Sequence, residues 1–236
     1  LINYKTYFFE SLSSTNDTAF ELLKNENDPL VVVAKTQTKG RGRFDRVWHG
    51  QKDKSIFISF ASEINSDFKL QFFSLVAGVK LCNFLHNEKI SIKWPNDIYY
   101  DSRKLAGILC ECQIFKNKRL LVAGLGVNFK KIDSMPATKT SPAFIDEFYD
   151  CSYAKILEIC SKALSETYES IMENKFVDDI KNFAKYDFLF NKEISATNNG
   201  EKISGKALGI DENAQLTIQQ KDSSLAQINS GEATLS

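Results

Sequence analysis

The sequence carries no net charge: 30 lysines and arginines stand against 30 aspartates and glutamates. A general nucleic-acid binder usually shows a basic excess, so that class is disfavoured, although a local basic patch is compatible with neutrality. Histidine is scarce, with His49 and His86 the only two. The five cysteines (Cys82, Cys110, Cys112, Cys151 and Cys160) are odd in number and lack a zinc-site rhythm. They read as small buried hydrophobes of a reducing compartment. Cys110 and Cys112 lie in a strand-like run that points both to one face. No stretch approaches the roughly 20 apolar residues needed to span a bilayer. Leu1 to Glu10 mixes polar and aromatic side chains where a signal peptide would need an unbroken apolar core. A cytoplasmic protein without a membrane partner is expected. There is no internal repeat and no low-complexity tract.

At 236 residues and 43% hydrophobic, the chain can form one large domain, or a domain with a small appendage. Alternation from Lys5 to Glu10 predicts an opening strand. Ser13-Ser14-Thr15-Asn16-Asp17 precedes Ala19, Phe20, Leu22 and Leu23 at helical spacing. Those polar residues are preferred helix caps, and the same groups at a helix entrance can also hold a polar ligand. Phe68 to Asn87 reads as one long amphipathic core helix. Tyr153 to Phe176 and Val177 to Tyr186 read as two more helices. Lys130 to Asp150, with Pro136 and Pro142, is irregular, and a loop of that length is often functional or mobile. After about Asp187 the pattern changes to short alternating segments: Glu193–Thr197, Glu201–Leu208, Gln215–Gln219 and Leu225–Ile228. Turn residues such as Asn198-Asn199-Gly200 separate them. A small β-barrel follows from that spacing, giving two domains, 1–186 and 187–236.

The loop Gly40-Arg41-Gly42-Arg43-Phe44-Asp45-Arg46-Val47-Trp48 connects two apolar runs, Leu30–Ala34 and Ser55–Phe60. Its glycines permit sharp turns and close approach to a ligand. Its arginines are forked donors suited to carboxylate and phosphate. By itself the loop reads first as an ordinary solvated basic connection. Further along, Lys93-Trp94-Pro95-Asn96-Asp97 ends a short strand. A charged turn then leads into Lys104-Leu105-Ala106-Gly107-Ile108-Leu109, and a glycine within a strand often marks a bulge or a close approach. Gly124-Leu125-Gly126-Val127-Asn128 begins like a dinucleotide fingerprint. It lacks the third glycine and a following amphipathic helix, so that reading is rejected.

Taken together, the Gly-Arg-Gly-Arg loop, Lys93 to Asp97, Lys104 to Leu109 and Gly124-x-Gly126-x-Asn128, with Ser14-Thr15-Asn16 and Gln37 in place, resemble the biotin protein ligases. The C-terminal Gly209-Ile210-Asp211 and Gly231-Glu232 resemble that family's SH3-like barrel. The resemblance implies an α+β catalytic domain, a mixed sheet with helices related to class II aminoacyl-tRNA synthetases, followed by the barrel. It implies activation of biotin by MgATP to biotinyl-5′-adenylate, then transfer to a lysine of a biotin carboxyl carrier domain. Lys104, Arg41 and Arg43 would be catalytic. Ser14, Thr15, Asn16, Gln37, Gly40, Gly42, Gly107, Leu109, Gly124 and Gly126, with Arg41, Arg43 and Lys104, would form the biotin site. Arg41, Arg43, Arg46, Trp48, Lys93, Asn96, Asp97, Lys104 and Asn128 would bind the nucleotide, Asp97 also meeting Mg²⁺.

Asp45 departs from the pattern, standing where the family usually has glycine. It is expected to pair with one of the loop arginines before ligand binds. Gly40–Trp48 and part of Asp133–Asp146 are expected to order on ligation. The chain begins at the catalytic domain, so a ligase without specific DNA binding is expected, either a monomer or an adenylate-promoted homodimer. Lipoate–protein ligase is the rival of the same fold. A nucleic-acid module using the arginine loop is the rival of another class.

Overall fold

The computed structural model describes residues 2–132, 141–198 and 201–235. A seven-stranded mixed sheet has the order β1-β2-β3-β7-β6-β5-β4. Its strands are β1 (Lys5–Phe9), β2 (Leu30–Ala34), β3 (Ser55–Ile64), β4 (Ile90–Lys93), β5 (Asp97–Tyr100), β6 (Arg103–Phe115) and β7 (Lys118–Asn128). Only β1 and β2 pair in parallel, because helix α1 (Thr15–Leu23) makes the crossover between them. The middle strands read as continuous apolar runs because both faces of the sheet are covered. One face packs on α2 (Phe73–Leu85) and α3 (Tyr153–Met172), with α4 (Val177–Tyr186) beyond. On the other face α1 buries Ala19, Phe20 and Leu23 against Val32, Ala61 and Val122. Ser14 caps α1, its hydroxyl accepting from the Asp17 N–H.

A second, antiparallel sheet of five strands holds β8 (Glu193–Asn198), β9 (Glu201–Ile210), β10 (Leu216–Gln219), β11 (Leu225–Ile228) and β12 (Ala233–Leu235). The buried residues Ile194, Ala207, Leu216, Ile218 and Ile228 join one core cluster with the main sheet. Trp94 ties the two sheets together by donating its indole N–H to Ala214 O at 3.0 Å. No helix among the described residues is long and apolar enough to cross a membrane.

Several expectations need correction. The helix expected over Phe68–Asn87 begins as a 3₁₀ turn at Leu70–Phe72, and α2 ends at Leu85, closed by His86 in a left-handed conformation. Trp94, Pro95 and Asn96 form the turn after β4, and Asp97 opens strand β5. Asp101 and Ser102, both at positive φ, then make the two-residue turn into β6. Strand β12 had no sequence signal beyond three residues. Cys82 and Cys160 are buried, as expected, but Cys110 and Cys151 are only partly so, and Cys112 lies in the exposed stretch Cys112–Ile114 of β6. Of the segment expected to order on ligation, residues 133–140 lie outside those described, as does the Asn199-Gly200 turn.

Candidate active site

Sheet register builds the site on the α1 face. Asp97 pairs with Gly107, Gly107 with Gly126, and Gly126 with Phe57, forming one cross-strand row. Leu109, Gly124 and Ser59 form the next row. Alternation alone would put Lys104 on the face opposite Gly107 and Leu109. The register between β5 and β6 shifts, however, so that Ile98 opposes Ala106 and Tyr99 opposes Lys104, with Leu105 the extra residue. This bulge turns Lys104 back to the site face. A Cβ added at Gly107 would lie 3.5 Å from Lys104 Cε and 3.3 Å from Asp97 Oδ1.

The glycines are needed for space. An added Cβ at Gly126 would stand 2.5 Å from the Trp48 indole, and at Gly124 2.2 Å from Asn16 Oδ1. Trp48 therefore lies flat on the Gly107–Gly126 pair, with Lys104 Nζ 5.1 Å from its ring centroid. The Trp48 indole nitrogen is buried without a partner among the described residues.

These elements enclose a cleft of about 460 Å³, within the range of small-molecule sites. Its wall contains Ser14, Thr15, Asn16 and Gln37 at the α1 entrance, and Arg41, Gly42, Arg43, Arg46 and Trp48 from the loop. It also contains Lys93, Asn96, Asp97, Lys104, Gly107, Leu109, Gly124, Gly126 and Asn128 from the sheet. Every candidate biotin- or nucleotide-site residue is brought to this cleft except Gly40. That glycine sits behind the wall, where a Cβ would meet Trp48 O at 2.6 Å.

Many of these side chains are already engaged. Thr15 donates to Gln37 Oε1 from its backbone N–H at 2.6 Å and from its hydroxyl at 3.0 Å. Asn96 donates its side-chain amide to Ile108 O at 2.8 Å, and Asn128 donates its own to Lys104 O at 3.1 Å. Lys104 Nζ lies 2.7 Å from Asp97 Oδ1. Burial pushes the Lys93 pKa down, opposed by the nearby charges of Asp97 and Glu232. The same desolvation lowers that of Arg43.

The loop arginines find partners that the sequence did not suggest. Arg41 donates to both Asp17 oxygens at 2.7 Å and to Glu111 at 3.1 and 3.2 Å. Its hydrogen bond to Asp17 raises its pKa further. Arg43 donates to Gly231 O at 2.9 Å, and Arg46 forms an ion pair with Glu232. Asp45, expected to pair with one of them, pairs with none among the described residues. It sits exposed at φ 55°, following Phe44 at φ 56°, and this left-handed turn carries its side chain away. Glu111 and Asp17 stood in plain apolar-run and cap contexts. Glu232 comes from the far end of the chain, so only the docking of the second sheet reveals it.

Residues 8–128 match the biotin/lipoate A/B protein ligase family model, and residues 189–236 match that of the biotin protein ligase C-terminal domain. Over 227 residues the chain is 30% identical to the bifunctional ligase/repressor BirA of Bacillus spizizenii, spanning 89% of this chain and 68% of that one. Over 110 residues it is 32% identical to the biotin–[acetyl-CoA-carboxylase] ligase of Mycobacterium tuberculosis, spanning 43% and 40%. Among solved structures, the biotin protein ligase from Aquifex aeolicus in complex with biotin and ATP matches with a TM-score of 0.79 and 27% identity, covering 98% of each chain.

Proposed function

The chain belongs to the biotin/lipoate A/B protein ligase family, and on that premise we propose that it activates biotin with ATP and transfers it to a carrier-protein lysine. One observation carries this reading. A floor of hydrogen-bonding groups (Thr15, Asn16, Gln37) and a rim of cations (Arg41, Arg43, Arg46, Lys93, Lys104) share a single cleft. The first suits a neutral polar ring and the second suits two anions that must meet.

In the first step a biotin carboxylate oxygen bonds to the α-phosphorus of ATP. The bond from that phosphorus to the bridging oxygen breaks, and pyrophosphate leaves. Carboxylate and triphosphate repel each other, so positioned cations lower the barrier by stabilising the charge that develops between them. Lys104, placed by the Leu105 bulge beside Asp97 and over Trp48, is the cation we assign to that charge. Arg41 and Arg43 would close on the carboxylate and phosphate, exchanging their present partners for ligand oxygens. Holding both substrates in one cleft also removes several kcal/mol (order of magnitude) of entropic barrier. In the second step a lysine amine of the carrier domain bonds to the acyl carbon. The acyl–oxygen bond breaks and AMP leaves.

Mg²⁺ binds nucleotide sites through phosphate oxygens, waters and one or two carboxylates, and it would neutralise phosphate charge. The donor set fits that mode. Among the described residues no cluster of three Asp, Glu, His or Cys forms a ready-made cage. Asp97, already in the cleft wall, would supply a carboxylate. We assign catalysis to residues 1–186 and the docked barrel to 187–236.

The test is transfer. With biotin, MgATP and a biotin carboxyl carrier domain, the domain becomes streptavidin-reactive, and a carrier whose acceptor lysine is arginine does not. Failure to label a carrier that another biotin ligase labels would refute the proposal.

A further inference from the structure

We propose that Glu111, which lies outside the cleft, is a positioning residue that fixes the hydrogen-bond polarity of the cleft floor so that the floor accepts N–H donors. This inference rests on the biotin reading above.

The reasoning starts at Asn16, which is buried. One end of its side-chain amide faces Glu111 Oε2 at 2.6 Å and Leu109 O at 3.3 Å. A carboxylate and a backbone carbonyl can only accept, so that end is the NH₂. The other end, Oδ1, is then an acceptor, and it faces Ser59 Oγ at 2.6 Å. Ser59 has one proton, and it lies between two acceptors, Asn16 Oδ1 and Thr15 Oγ1, the latter at 2.7 Å. The Thr15 proton goes to Gln37 Oε1 at 3.0 Å. Every proton of Thr15, Asn16 and Ser59 that these contacts account for is thus committed to the protein. What Thr15 has left for the cleft is a lone pair, and a ring N–H satisfies it.

Glu111 is the root of this direction. It sits one row from Leu109 on the same strand face, paired with Val122. Before ligand binds, Arg41 balances its charge, and Asp17 holds Arg41 from the other side. Without the carboxylate, the Asn16 amide has only Leu109 O to fix its orientation. It can then flip and present NH₂ to Ser59, whose own proton then goes to Thr15 Oγ1 and takes up a lone pair that served the cleft. A ureido N–H would then meet a Thr15 oxygen already occupied by the Ser59 proton, a poorly paired buried contact of the kind that discriminates strongly between ligands. A dithiolane ring has no N–H, so the same polarity disfavours it.

The experiment measures KM for biotin and for ATP by pyrophosphate exchange in the wild type, Glu111→Ala, Glu111→Gln, Ser59→Ala and Glu111→Ala/Ser59→Ala. Thermal melting identifies folded variants. Should Glu111→Ala fail to fold, the Gln and Ser59 variants carry the test. The biotin KM should rise by about tenfold or more in Glu111→Ala, with the ATP KM within about twofold of the wild type. Glu111→Gln, which retains one acceptor for Asn16, should recover part of the loss. Ser59→Ala, which leaves Arg41 untouched, should move the biotin KM in the same direction. The double variant should be no worse than the poorer single one, because both act on one chain of hydrogen bonds. An unchanged biotin KM with a raised ATP KM or lowered kcat would show that Glu111 works only through Arg41, and would overturn the inference. Additive effects in the double variant would overturn it too. Absence of biotin-dependent exchange in the wild type would instead refute the functional reading itself.

Discussion

Lys104 and Asp97 face each other across the β5–β6 hairpin, Nζ 2.7 Å from Oδ1, and Leu105 is the extra residue that lets them meet. Lys104→Ala should lower pyrophosphate exchange by roughly 10²–10³-fold, the usual loss when a positioned donor to developing charge is removed. Asp97→Asn should lower it less, because Trp48 still holds the lysine from below. Exchange at the wild-type rate in Lys104→Ala would show that another cation does this work.

Gly126 and Gly107 carry the Trp48 indole, but with different clearances. An added Cβ would approach the ring to 2.5 Å at Gly126 and to 3.0 Å at Gly107. Gly126→Ala should therefore displace Trp48, shift the intrinsic emission and weaken ligand binding, with Gly107→Ala milder on both counts. Equal effects in the two variants would mean that the indole yields easily and is not fixed by the glycine pair.

Arg46 and Glu232 link the arginine loop to the second sheet, yet both are partly exposed (52% and 37% of the side chain). Exposed pairs contribute about 0–1 kcal/mol to stability. Glu232→Ala should then leave Tm nearly unchanged while hydrogen exchange over Gly40–Trp48 quickens. A large drop in Tm with unchanged loop exchange would make the pair structural instead.

Asp187 offers a pH signature. Its Oδ1 accepts from the Leu189 N–H at 2.8 Å, while Oδ2 is buried without a partner among the described residues. Desolvation raises its pKa, partly offset by hydrogen bonds from the Leu189 and Phe190 backbone. The folded state then holds this proton to higher pH than the unfolded state. Stability is lost as pH rises from the ordinary carboxylate range, about 4, through the raised value. Asp187→Asn keeps the bond to Leu189 and removes the charge. The stability difference between variant and wild type, from denaturant titrations, should grow in the variant's favour across that window. A difference independent of pH would contradict the assignment.

Much of the fold was legible because it rests on local chemistry. The Ser14 cap, the apolar runs of β2, β3 and β7, and the alternation of the second sheet each carry their own period. The cleft residues were legible through the resemblance of four motifs taken together, since glycines and arginines at a strand end are by themselves also an ordinary loop. Other features depend on what is paired across the sheet. The bulge at Leu105 is a matter of register. Glu111 looks like a strand-edge charge until Asn16 is set against it. Glu232 becomes part of the wall only once Trp94 docks the second sheet. The reading of Asp45 failed because the backbone hand at Phe44 and Asp45 decides where that carboxylate points, and charge proximity in the sequence does not reveal it.

The most direct measurement is pyrophosphate exchange into ATP, with biotin and lipoate supplied separately. Exchange with biotin alone is the predicted result. Exchange with lipoate alone would keep the fold and the cation rim but contradict the substrate, and exchange with neither would contradict adenylate formation in this cleft.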